Sequence, residues 1–142
     1  VGAALLVETV RQVTAGTAPR RPQDESRATY APRIRPHDGR LSWRWPAREL
    51  HNRIRAFTPW PGALVRHEGR PLKIRRSRVV DDGRGPAPPG TVLEVGEEGP
   101  LVQTGEGLLR LVQVQPAGRR SMPGRDYANG YRLGPGSRLE DG

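Results

Sequence analysis

The sequence predicts a mainly β fold with flanking helices: a small OB-like Greek-key barrel of about five strands, preceded by one amphipathic helix. Three observations predict it. Between residues 63 and 115, apolar and polar residues alternate in short runs separated by glycine-bearing turns, the pattern of an antiparallel meander with half-buried strands. In two of these runs the alternation slips by one residue, which a β-bulge repairs and which small barrels use to bend their strands. Directly ahead of the first run, Ala47, Leu50, Ile54 and Phe57 recur at helical spacing.

Composition sets the size of that barrel. Of 142 residues only 34% are hydrophobic and 5% aromatic, while 18 Gly and 15 Pro make up almost a quarter; a small core must coexist with long loops. The 24 basic side chains outnumber 15 acidic ones for a net charge of +9, and all but Lys73 are arginine. Guanidinium forks suit phosphates, so a polyanion is the natural partner. The absence of cysteine excludes disulfides and thiolate chemistry and allows a reducing compartment. The apolar run "AALLV" at 3–7 is far too short to span a membrane and lacks the basic front and cleavage site of a secretory signal. Because the chain opens on Val1 rather than Met, a further segment is expected upstream.

Residues 3–15 are predicted helical. Ala3, Leu6, Val10 and Val13 share one face, Leu5 and Val7 widen it, and Gly16 ends it. One amphipathic helix cannot bury its own stripe, so this one needs a partner that the adjacent sequence does not supply. Residues 16–40, with Pro19, Pro22, Pro32, Pro36 and many charges, read as a semi-extended linker that Tyr30 and Ile34 pin to a neighbour. A second helix is predicted from Pro46, a residue tolerated at the first helical position, to a point before Pro59. Arg48, His51, Asn52 and Arg55 lie on or near its polar side. Trp45 then falls at the N-cap, where it forgoes roughly 1 kcal/mol relative to Ser or Asp and is kept for packing. In the corner Pro59-Trp60-Pro61-Gly62, the first proline ends the helix, Trp60 supplies buried area and Gly62 permits the turn into the first strand.

Hairpin turns are expected at Glu68-Gly69 and around Gly96, Gly99, Gly105 and Gly107. Leu72 and Ile74 would be followed on their face by Arg76 and Arg78, and Leu109 and Leu111 give way to Val112 and Val114, so each strand is expected to carry one bulge. Ser121 is expected to cap a short helix through Asp126, Tyr127 and Ala128, with its exit at Asn129-Gly130. The last stretch, "LGPGSRLEDG", is expected to fray.

Catalytic patterns are missing. His37, His51 and His67 fall in a loop, a helix and a strand without a cysteine or paired carboxylates nearby, so no metal site is expected. The glycines of "GEEG" and "GEG" lead into strands rather than helices, which suits turns and not phosphate cradles. Asp81-Asp82 and Glu97-Glu98 are assigned to turns as solvated charge. The cations are better organised. Residues 66–78 hold Arg66, Arg70, Lys73, Arg75, Arg76 and Arg78 against Glu68 alone, and alternation sets Lys73 and Arg75 on the face opposite Leu72 and Ile74. Arg119 and Arg120 follow the last barrel strand, and Arg33 and Arg35 punctuate the linker. These six, Arg33, Arg35, Lys73, Arg75, Arg119 and Arg120, are the expected nucleic-acid contacts.

The segments "GTAPRRPQDESRATYAPRI", "PARELHNRIRAFTPWPGA", "LKI", "PGTVLEV", "LRLVQVQPAGRRSM" and "RDYANGYR", in this order and spacing, resemble the C-terminal part of the methionyl-tRNA formyltransferases over nearly the whole chain. Thr58 where Asn is usual, Ala117 where Glu is usual and Trp45 at the cap are departures. The resemblance implies an enzyme that moves a formyl group from 10-formyltetrahydrofolate to the methionine of initiator tRNA in the cytoplasm. It further implies an N-terminal catalytic domain, whose catalytic and folate-binding motifs are not in this sequence. On that reading residues 1–16 are the last helix of the catalytic domain, 17–40 the interdomain linker and 41–142 the OB-like tRNA-holding domain. The piece is expected to be monomeric, to bind no cofactor and to be inactive alone. Rival readings are the C-terminal lobe of another folate-dependent formyltransferase or hydrolase, and a free-standing basic RNA-binding barrel.

Overall fold

The computed structural model describes residues 2–81, 85 and 87–142, and the chain divides into two compact units, Val1–Arg33 and Ile34–Gly142. The first consists of α1 (Gly2–Thr14) and an extended segment with a 3-10 turn at Glu25–Arg27. Gly16 ends α1 in the left-handed region, at φ 69°, as the sequence predicts. No residue of α1 is buried. Leu5, Leu6, Val7, Val10 and Val13 are 52–65% exposed, so the apolar stripe finds no partner within its unit. Tyr30, expected to pin the linker, is 90% exposed.

The second unit holds α2 (Ala47–Ala56), β1 (Ala63–His67), β2 (Arg70–Asp81), β3 (Val92–Gly96), β4 (Gly99–Gln103), β5 (Leu108–Pro116), β6 (Met122–Pro123), α3 (Gly124–Tyr131) and β7 (Leu139–Glu140). The sheet is antiparallel and runs β3-β4-β5-β2-β1-β7, with β6 against β5. The meander β3-β4-β5 returns β5 to lie beside β2, which is Greek-key order. The mainly β, OB-like expectation therefore holds, with two short strands beyond the five read from sequence.

Both expected bulges are present. Ile74 pairs with Val114, Arg76 with Gln113 and Ser77 with Leu111, which leaves Arg75 extra in β2 and Val112 extra in β5. Each extra residue resets the alternation, so Leu72 and Ile74 are buried while Arg76 and Arg78 are exposed, and Leu109, Leu111 and Val114 all point inward. Glu68 and Gly69, both at positive φ, make the expected β1–β2 turn. Asp81 ends β2 instead of lying in a turn, Asp82 falls outside the described residues, and Glu97-Glu98 form the β3–β4 turn.

α2 covers the sheet at β2 and buries Ala47, Leu50 and Ile54. It starts one residue later than expected, with Pro46 and not Trp45 as its N-cap. Pro46 offers no side-chain bond, and the Ala47 N–H is met instead by the Glu106 carbonyl at 2.8 Å, a tertiary replacement for a cap. Trp45 packs against the core, with the Arg53 guanidinium 4.2 Å above its ring centroid. The indole expected in the core from Trp60 comes from Trp43. Trp43 is 1% exposed and Trp60 57%, because the corner turns outward while residues 41–43 sink beneath the sheet.

Two corrections fall at the far end. α3 begins at Gly124 without a Ser121 cap; Ser121 hydrogen-bonds the Val114 carbonyl instead. A side chain at Gly124 would strike the Leu111 carbonyl, so the helix starts where it can lie directly on β5. It runs through Asn129 and Gly130 and ends with Arg132 in the left-handed region, after which Leu133 is buried. Nor does the tail fray. Leu139 is 1% exposed, β7 pairs with β1, and Asp141 accepts from the Trp43 N–H at 2.8 Å and the Ser42 hydroxyl at 2.7 Å. Backbone bonds Val92 N–H to Ser137 O, Gly136 N–H to Val92 O and Leu139 N–H to Gly90 O strap the β3 edge to the tail, which joins the two edges of the curled sheet.

Candidate nucleic-acid interface

Residues 57–62 leave α2 by a tight route. Thr58 Oγ1 donates to the Ile54 carbonyl at 2.7 Å, and the Thr58–Pro59 and Trp60–Pro61 peptides are cis. The Gly62 N–H reaches back to the Phe57 carbonyl at 2.9 Å, with Gly62 at φ 91°, a conformation only glycine adopts without strain. Prolines lack N–H groups, so the outward carbonyls of this corner need donors from elsewhere.

Lys73 and Arg75, on the outer face of β2, supply them. Lys73 Nζ donates to the Pro61 carbonyl at 3.2 Å, and its stem lies over Gly62. Arg75 Nη1 donates to the Pro59 carbonyl at 3.0 Å, while Nε donates to Gln115 Oε1 at 2.9 Å. Gln115 Nε2 in turn donates to the Arg119 carbonyl at 2.9 Å. One chain of contacts thus runs from the corner through the bulge residue Arg75 to the turn after β5.

Two adjoining cavities open along this line. One, of about 230 Å³, is lined by Leu64, Pro71, Lys73, Arg75, Gln115, Pro116, Ala117 and Gly118. The other, of about 280 Å³, is lined by Arg70, Pro71, Pro116, Ala117, Arg119, Tyr127 and Tyr131. Pro71, Pro116 and Ala117 belong to both, and among the described residues no acidic side chain lines either. A further cavity of about 490 Å³ is bordered by Arg44 and Arg138 but also by Glu140 and Asp141, which cancel its charge. Elsewhere on the sheet Arg78 pairs with Glu98, and Arg110 with Glu94 at 2.8 Å.

Of the six expected contacts, the fold brings Lys73, Arg75 and Arg119 together around the 116–119 turn. Arg120 is exposed on the same connection but lines neither of the two cavities, Arg35 is exposed ahead of the 3-10 turn Pro36–Gly39, and Arg33 belongs to the other unit. Sequence reasoning missed Gln115 and the two tyrosines. Tyr127 and Tyr131 stand four apart on α3, the spacing of helical neighbours, and stack with ring centroids 4.4 Å apart at 21°. The Tyr127 hydroxyl meets Nδ1 of the buried His67 at 2.8 Å. Burial pushes the Tyr127 phenol up to about 12, with Tyr131 and Glu68 adding and Arg70 opposing. On α2, His51 Nδ1 lies 3.0 Å from Ser77 Oγ, and its pKa is lowered by burial, then by Arg55 and Arg48. Among the described residues no His, Asp or Glu cluster is placed to hold a metal, and no helix is long and apolar enough to cross a membrane.

Among the described residues, the lining of this groove carries basic but no acidic side chains, a composition that suits phosphate. A family model described as formyl transferase, C-terminal domain, matches residues 33–132. Among curated relatives, the methionyl-tRNA formyltransferase of Moorella thermoacetica is 46% identical over 142 residues, covering 98% of this chain and 44% of its own. That of Roseiflexus sp. (strain RS-1) is 43% identical, covering 99% of this chain and 43% of its own. The chain therefore spans less than half the length of these relatives. Among solved structures, HypX from Aquifex aeolicus in complex with tetrahydrofolic acid superposes with a TM-score of 0.63 at 17% identity, over 89% of this chain and 22% of that one. A multiply substituted HypX variant gives 0.65, also at 17%, over 92% and 23%. At that identity the likeness is one of fold.

Proposed function

Because the chain belongs to the formyl transferase C-terminal domain family, we propose that it is the tRNA-holding C-terminal portion of a methionyl-tRNA formyltransferase. The whole enzyme would transfer the formyl group of 10-formyltetrahydrofolate to the methionine of initiator tRNA at the start of cytoplasmic translation, acting as a monomer. Catalysis and folate binding would reside in a preceding domain. Residues 1–16 would be that domain's last helix, which accounts for the uncovered stripe of α1, and 17–40 the linker to the barrel of 41–142.

One observation carries the reading of the barrel: Lys73, Arg75 and Arg119 line adjoining cavities on whose walls no acid stands among the described residues. Lys73 and Arg75 spend part of their donor capacity on the corner carbonyls, but an ammonium has three donors and a guanidinium five, so both retain donors for phosphate. Arg120, Arg35 and Arg33 extend the basic surface. Contacts of this type position a backbone without reading bases, so choice of the initiator would fall to the catalytic domain. A salt titration of tRNA binding tests this, with Lys73→Ala/Arg75→Ala and Arg119→Ala/Arg120→Ala beside the parent chain. Each lost phosphate contact should flatten the log–log slope by somewhat under ~1. Unchanged slopes in both variants would reduce these residues to solvated charge, and strong preference for initiator tRNA would relocate specificity to this portion.

A further inference from the structure

We propose that the cavity between the 116–119 turn and α3 takes one unpaired nucleotide, its base stacked on Tyr131 and its phosphate held by Arg70 and Arg119. This rests on the reading of the chain as an RNA-holding portion, and it adds a base-recognising subsite to an otherwise backbone-binding groove.

Tyr127 is fixed. The residue is 3% exposed, its hydroxyl is tied to His67, and the two rings meet edge to face at 5.7 Å and 66°. Tyr131 stacks on this fixed ring, is itself half-buried, and lines the cavity. A stacking platform whose position is set from behind loses little entropy when a further ring is added. Pro71 and Pro116 add flat apolar wall, and Arg70 and Arg119 line the same space. Aromatic surface beside paired guanidinium groups is the chemistry of a base with its phosphate. The cavity, about 280 Å³, lies just under the ~300–1,000 Å³ of drug-sized sites. That leaves room for one extruded base. An acidic peptide would satisfy the arginines and leave the tyrosine unused.

The test compares binding of 5′-AMP, ribose 5-phosphate and inorganic phosphate to the full chain, read by amide chemical shifts, with tRNA binding measured alongside. The parent should bind 5′-AMP ~10-fold or more tighter than ribose 5-phosphate, in keeping with the stacking contribution of one base. Tyr131→Phe should keep that ratio within ~2-fold, and Tyr131→Ala should abolish it. Arg70→Ala and Arg119→Ala, at the two cations that line the cavity, should each weaken both sugar phosphates ~10-fold. Equal binding of 5′-AMP and ribose 5-phosphate by the parent, or an unchanged ratio in Tyr131→Ala, overturns the base site and leaves the proposed function standing if tRNA still binds. Failure of the parent to bind tRNA overturns the proposed function, and RNA as occupant with it.

Discussion

Replacing Arg75 by alanine should loosen the Pro59–Gly62 corner without touching the hydrophobic core. The side chain gives one hydrogen bond to the Pro59 carbonyl and two to Gln115 Oε1, and Gln115 holds the turn at Arg119. A hydrogen bond from a charged donor contributes ~1.5–3 kcal/mol. Arg75 is half-buried and its contact with Pro59 is exposed, so water replaces much of what is lost and the net cost is about 2 kcal/mol. For a unit of this size that corresponds to a fall in Tm of about 8 °C. Thermal denaturation followed by circular dichroism reads it, with Arg75→Lys as the control: lysine keeps the charge but cannot bridge two acceptors as a fork does, so it should restore less than half. A Tm within ~1 °C of the parent for Arg75→Ala would show that the corner stands without its brace, and that Arg75 is a surface cation in its own right.

Two other perturbations bear on the same unit. Leu139→Ala removes a fully buried side chain from the strand that joins the sheet edges, and should cost ~2–4 kcal/mol in urea melts; a frayed tail would lose nothing. For Tyr127, whose folded pKa is raised from 10.0 to about 12, the fold favours the neutral phenol. Its contribution is therefore complete below pH 10 and drains away as pH rises toward 12. Tyr127→Phe should flatten the alkaline slope of stability relative to the parent, and identical slopes would refute the buried assignment.

What was legible in the sequence follows from how each feature is encoded. The two bulges were readable because Arg76 and Arg78 or Val112 break a period-2 pattern, and only an extra residue can restore the inward face. The Glu68-Gly69 turn was readable from turn chemistry alone. The tail was not, since Ser137, Gly136 and Leu139 strap the sheet through backbone groups that every residue carries. The inward indole was not legible either: Trp60 is expected to supply buried area, but which tryptophan turns inward depends on the path of the corner, and Trp43 fills the core instead. At the candidate site, charge points to Lys73, Arg75 and Arg119, whereas Tyr131 lies beyond the helix expected to end at Asn129-Gly130, and its stack on Tyr127 beside the arginines emerges only once α3 runs on to Tyr131.

Because the Gly142 N–H bonds the Leu41 carbonyl and Asp141 grips Ser42 and Trp43, polypeptide enters and leaves the barrel at the same spot. A module with adjoining ends can be spliced into a surface loop of another protein with little loop-closure cost. The same geometry allows its old ends to be joined by a few residues and new ones opened at an exposed turn such as Glu68-Gly69. Anything fused after Gly142 would emerge alongside the segment that leads into Leu41. Attachments made on either side of this barrel therefore share one point of its surface.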